Sequence, residues 1–182
     1  MNEQKTAAGI PAALFSHKKG TNVMKYMGTL IAVSDMERSK EFYCGLLGME
    51  VTADFGANVT LNDNVFLQTV ETWREFIDDN VRFQGNDKEL YFEEDDMDAF
   101  WEKLKRQENI VYVHLLKEHA WGQRVVRFYD PDHHIIEVGE NMAVVMKRFM
   151  KSGLSVEATA QRMDVPVSYV ETCLKEEEDS GF

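Results

Sequence analysis

A carboxylate that shares a strand face with an arginine and tyrosines can hold an ion, move a proton or bind a charged ligand. Glu137 is set that way in Arg127-Phe128-Tyr129-Asp130-Pro131-Asp132-His133-His134-Ile135-Ile136-Glu137. The stretch reads as a β-hairpin. Asp130 can bond its own backbone at the first turn position and Pro131 presets φ at the second. His133 falls where a left-handed residue is commonest. Val126, Phe128, Ile136 and Val138 alternate onto one side. Val125, Arg127, Tyr129, Ile135 and Glu137 take the other, a mixed aromatic and charged face that suits a pocket lining. His133 and His134 are adjacent and point to opposite sides, so they cannot both join Glu137, and His134 is expected to point outward.

The same alternation puts Glu89, Tyr91 and Glu93 on one strand face, and Phe66 with Gln68 on another. Residues 27–33 read as a strand. Ser34-Asp35-Met36-Glu37 then forms a capping-box pattern opening a helix with Met36, Phe42, Tyr43, Leu46 and Leu47 inward, and Gly45 and Gly48 mark its end. Strands follow over 49–55, 57–61 and 64–70, then a short helix over 72–79 and a polar linker over 83–88. The pattern repeats: a strand over 89–94, a helix capped by Asp95 with Met97, Phe100, Trp101 and Leu104 inward, and strands near 110–116, 123–129 and 134–139. Asp35-Met36-Glu37 aligns with Asp96-Met97-Asp98, and Asn64-Val65-Phe66-Leu67-Gln68 with His133-His134-Ile135-Ile136-Glu137. The fold class is therefore α+β with two tandem βαβββ units, about 24–70 and 88–140, between an N-terminal extension over 1–23 and C-terminal helices over 141–182.

The 182 residues, 44% of them hydrophobic, suffice for one domain with a substantial core. A net charge of -12 repels phosphate backbones and anionic lipid, so nucleic acid and membrane are poor expectations as partners, and neutral or cationic small molecules are better ones. Cys44 and Cys173 form no framework, and no secretory signal or bilayer-spanning run is visible, which points to the cytoplasm.

Ile31-Ala32-Val33-Ser34-Asp35-Met36-Glu37-Arg38-Ser39-Lys40-Glu41-Phe42-Tyr43, Leu47-Gly48-Met49, Trp121-Gly122-Gln123-Arg124, and Asp130-Pro131-Asp132 through Ile136-Glu137 together resemble the vicinal oxygen chelate superfamily. These are the glyoxalase, bleomycin-resistance and ring-cleaving dioxygenase proteins. The resemblance covers about residues 24–140 and implies eight strands curled round a shared pocket, often in a homodimer. It also implies a divalent ion held by four side chains on symmetric strands. Those positions fall here on Gly28, which has no side chain, and on Gln68, Glu89 and Glu137. This oxygen-only set suits Mg²⁺ or Mn²⁺ better than Zn²⁺. Without an ion, the carboxylates would bind ligand or pair with Arg127.

Two readings of function stay open. One is a metal-dependent lyase, isomerase or dioxygenase with Glu137 and Glu89 as its catalytic carboxylates. The other is a non-catalytic protein that sequesters a small aromatic or cationic molecule against Trp73, Tyr91, Trp121 and Tyr129, with His119 and Arg127 beside them. Trp121 also reads as a half-buried loop residue, and Trp73 as a helix-face residue. The facing of His114 is not fixed, because residues 110–116 are almost continuously apolar.

After Glu140, Met142, Val145, Met146 and Phe149 form one helical stripe ended by Ser152-Gly153. Ser155 caps a second helix, and Asp164-Val165-Pro166 turns into a third. The last pair resembles a helix-turn-helix, which would allow a ligand-responsive regulator. Its second helix, however, opens without arginine or lysine and runs into Glu176-Glu177-Glu178-Asp179, so docking on the main domain or on a second subunit is the simpler expectation.

Overall fold

The computed structural model describes residues 24–180, with side chains as far as residue 175. The expected extension over 1–23 lies outside the described residues, apart from which the elements follow the duplicated plan. The first unit runs β1 (Thr29–Val33), α1 (Met36–Lys40), β2 (Val51–Asp54), β3 (Asn58–Leu61) and β4 (Val65–Thr69), followed by α2 (Val70–Ile77). The second runs β5 (Glu89–Glu94), α3 (Met97–Lys105), β6 (Tyr112–Glu118), β7 (Arg124–Tyr129) and β8 (Ile135–Glu140). The strands form two four-stranded sheets of identical topology, ordered β1-β4-β3-β2 and β5-β8-β7-β6. In each, the first strand is parallel to the fourth and the rest are antiparallel. The α+β class and the repeat thus stand as expected.

The alternation read across the hairpin is also present. Arg127 faces Glu137 and Phe128 faces Ile136 in the β7–β8 register. Val126, Phe128, Ile136 and Val138 pack with Ile31, Val33, Val59, Leu61 and Leu67 of the first sheet, through Tyr43, Leu46, Met97, Phe100 and Leu104 of the helices, in one core shared by both units. Trp101 packs at its edge against Tyr112.

The helix starts differ from expectation by one residue each. Asp35, rather than Ser34, is the first N-cap, accepting from the Arg38 amide at 3.0 Å, and Asp96, rather than Asp95, caps α3 through the Ala99 amide at 2.9 Å. Ser34 is drawn off because its amide and hydroxyl both donate to Asp132, from the β7–β8 turn of the other unit. Beyond Lys40 the helix widens into a π-helical stretch, Glu41–Leu46, in which the Leu47 amide reaches back to the Phe42 carbonyl.

The Asp130-Pro131-Asp132 turn therefore does more than reverse the chain. Asp130, wholly buried, accepts from the Tyr43 hydroxyl at 2.8 Å, from the amides of Asp132 and His134 at 2.9 and 2.8 Å, and from His134 Nδ1 at 2.8 Å. Asp132 also pairs with Arg38. His133 holds the left-handed conformation expected of it, φ 65°. His134 does not point outward. It is half-buried, drawn in by Asp130, with Phe83 against its ring edge.

Three helices follow: α4 (Met142–Lys151), α5 (Val156–Met163) and α6 (Val167–Ser180). Asn141 and Ser155 cap the first two. Val145, Met146, Ala160, Met163 and Val170 give this unit a small core of its own. Among the described residues no helix is long and apolar enough to cross a membrane.

Candidate functional site

The strand register gathers the second sheet's candidates on one face. Tyr91 lies beside Glu137 and Glu89 beside Ile135 across β5–β8, while Arg127 lies beside Glu137 across β7–β8. Arg127 is the hub. Its Nε donates to Glu89 at 2.8 Å, its Nη2 contacts Glu137, and its Nη1 lies 3.2 Å from His114 Nε2. Glu137 is nearly buried, its side chain 9% exposed, whereas Glu89 is 36% exposed. Sequence periodicity missed His114. Two bulges in β6 shift its register, so that Tyr112 faces the core opposite Phe128 and His114 faces the arginine.

Arg127 also bears on the fit of a metal ion. A guanidinium lies between the carboxylates whose charge a divalent ion would neutralise. In the first unit Gln68 is buried and its amide is spent on Thr72, to which it donates at 3.1 Å. Gly28 has φ +147°, and a Cβ there would lie 2.1 Å from the Asn64 carbonyl oxygen, so no side-chain ligand fits that position. Among the described residues no three His, Cys, Asp or Glu side chains converge to hold a metal. As arranged, the donors do not fit a divalent ion.

At the other end of the face is a chain of aromatic and polar groups. The Trp121 indole N–H donates to Gln123 Oε1 at 3.1 Å. Gln123 Nε2 donates to the Tyr91 hydroxyl at 3.2 Å and to the Glu140 carbonyl at 2.9 Å, and Tyr91 donates to Glu93 at 2.8 Å. Burial, the hydrogen bond to Glu93 and that carboxylate's charge push the Tyr91 phenol up to about 12, so it stays protonated and donates. His119 stacks flat on Trp121, with ring centres 4.4 Å apart. Burial, then the charges of Lys117 and Arg127, lower the His119 pKa and favour a neutral ring. Gln123 was legible in principle, since it shares the parity of Val125 and Arg127, but an amide beside a turn carries no signal of its own.

Trp73 and Tyr129 stand apart from this cluster. Trp73 lines a cavity of about 440 Å³ at the junction of the two units, with Leu30, Ala32, Phe83, His134 and Ile135. Tyr129 is half-buried and donates to Asn86 at 3.0 Å, tying the 79–88 linker to β7.

Comparison with known proteins gives the geometry its context. A family model described as a glyoxalase-like domain matches residues 26–143. A protein of unknown function from Agrobacterium tumefaciens is 35% identical, with TM-score 0.60 over 66% of this chain and 97% of its own. A glyoxalase-related enzyme from Fulvimarina pelagi, 16% identical, superposes with TM-score 0.57 over 66% of this chain and 91% of its own. A lactoylglutathione lyase from Agrobacterium tumefaciens, 21% identical, gives 0.51 over 68% and 96%. No curated protein matches the chain. Twin βαβββ sheets, and a domain match that begins just before β1 and ends just after β8, agree with one another, and the chain belongs to the glyoxalase-like domain family of the vicinal oxygen chelate superfamily.

Proposed function

We propose that this protein binds a small planar, cationic molecule on the polar face of its second sheet, without a resident metal ion and without catalysis. The observation that carries the reading is Arg127. Held by Glu89, Glu137 and His114, it supplies from within the chain the positive charge that the carboxylates require. The rest of the face offers Tyr91, Trp121 and the Glu93 carboxylate, groups that suit ring stacking and charge pairing. Proflavine, a planar aromatic cation, is a direct probe. Its affinity is expected to be unchanged by EDTA and to fall about tenfold in Trp121→Ala, as for loss of a desolvated cation–π contact of about 1–2 kcal/mol. EDTA-sensitive binding, or a Trp121→Ala protein that binds as well as the parent, overturns the reading.

The second reading is a metal-dependent lyase, isomerase or dioxygenase using Gln68, Glu89 and Glu137. It is favoured by Glu137, a carboxylate kept nearly buried beside another. It requires Arg127 to leave both partners. Protein purified without chelator would then carry Mg²⁺ or Mn²⁺ that Glu137→Ala loses, while equal and negligible metal in both excludes it.

We further propose a homodimer as the working assembly. The edge strand β6 and the residue before it leave Val111, Val113 and Leu115 exposed, an unpaired apolar edge that a second copy could cover. Light scattering at micromolar concentration is expected to give about twice 21.0 kDa. A single-chain mass counts against it. Nucleic acid remains a poor partner, because the described side chains of α6 include one basic residue, Lys175.

A further inference from the structure

The helices α4–α6 follow β8 and lie almost wholly beyond the matched domain, which ends at residue 143, yet they grip one particular loop of it. That loop, residues 118–123 between β6 and β7, carries His119, Trp121 and Gln123. Arg148 of α4 donates to the Gly122 carbonyl at 2.5 Å and pairs with Glu118 and Glu140. Arg162 of α5 donates to the Ala120 carbonyl and pairs with Glu118 at 3.4 Å. Both guanidiniums lie over the Phe149 ring, 5.2 and 5.0 Å from its centre. The same ring is packed on Gly122, whose φ is +91° and where a Cβ would lie 2.2 Å from it. The contact is built for glycine, and a loop backbone otherwise open to solvent is held at two carbonyls and one flat face.

We propose that the C-terminal helical unit is an integral wall of the binding site. Through Arg148, Phe149 and Arg162 it fixes the 118–123 loop so that Trp121 and Gln123 are presented to Tyr91. Arg148 and Arg162 are positioning residues: they touch the loop rather than the ligand. The site end so formed has Tyr91 and Trp121 as rings and Glu93 as its carboxylate, which suits a planar aromatic cation. This last point rests on the binding reading above, whereas the mechanical coupling of helices to loop does not.

The test separates the two. The full-length protein is labelled with 5-fluorotryptophan, which gives three ¹⁹F resonances, that of Trp121 being assigned by its absence in Trp121→Phe. Arg162→Ala is expected to shift or broaden the Trp121 resonance in the ligand-free protein and to leave those of Trp73 and Trp101 in place. Gly122→Ala, which pushes the loop off Phe149 with both arginines intact, is expected to do the same at unchanged helix content by circular dichroism. Proflavine affinity is expected to fall about fivefold to tenfold in both variants, by loss of the stacked Trp121. If proflavine binds and neither variant moves the Trp121 resonance or the affinity, the coupling is wrong and the binding reading survives. If the resonance moves in both variants but the parent protein binds no proflavine, the coupling stands and the binding reading fails.

Discussion

Replacing Asp130 by alanine is expected to destabilise the protein by about 3–5 kcal/mol, the cost of removing one member of a buried, charge-assisted cluster. Its carboxylate is fully buried and accepts four hydrogen bonds from donors that have no other partner in the turn. Truncation strands the Tyr43 hydroxyl, itself in the core, and two backbone amides at once. Urea unfolding measures the loss as a fall in midpoint at unchanged slope. Tyr43→Phe is the graded control. It removes one donor and leaves the ring packing, so it should cost about 1.5–3 kcal/mol. An Asp130→Ala protein within 1 kcal/mol of its parent would show that the turn does not join the two units, whatever its geometry.

Glu140 should give an effect of similar size, with a pH signature. Its side chain is 1% exposed and pairs with Arg124 at 2.9 Å and Arg148 at 3.1 Å. Burial pushes its pKa up, but the hydrogen bond and charge of Arg124 and the charge of Arg148 outweigh it, and the pKa lies below the ordinary glutamate value. Because the folded pKa is depressed, the stabilisation is fully present above the unfolded pKa and is lost as pH falls through the folded one. The parent protein should therefore lose stability on acidification below about pH 4.5, and Glu140→Gln should flatten that part of the profile. At neutral pH Glu140→Ala is expected to cost about 3 kcal/mol, because it removes a buried carboxylate shared by two guanidiniums that keep only the exposed carboxylates of Asp98 and Glu118 as charge partners. Superimposable pH profiles for the parent and Glu140→Gln would remove Glu140 as the source of the acid sensitivity.

The fold was legible because several signals agreed: period-two alternation in β5, β7 and β8, the Asp-Pro-Asp turn, and a repeated helix start. The first helix cap slipped by one residue for a reason no local pattern contains. Ser34 can satisfy either its own helix or Asp132, and the partner far along the chain wins because it is a buried carboxylate. The polar face was legible as Arg127, Glu89, Tyr91 and Glu137, since alternation alone places them together. His114 was not, because a bulge is an insertion in register and leaves no trace in a continuous apolar run. The roles of Arg148 and Arg162 were equally hidden: nothing in the local sequence marks either as a partner of a distant loop.

The turn that joins the units also bears on how the chain acquires its shape. Ser34 and Asp132 are separated by 98 positions, and Tyr43 and Asp130 by 87. During synthesis the first unit emerges with Ser34, Arg38 and Tyr43 already made and their partners still to come. Contacts of such long separation close late and slow the search for the native state. Although the molecule is a duplication, its halves are not interchangeable beads. Each leaves unfinished what the other completes, since the hairpin of the second unit supplies the partners of Ser34 and Tyr43 in the first.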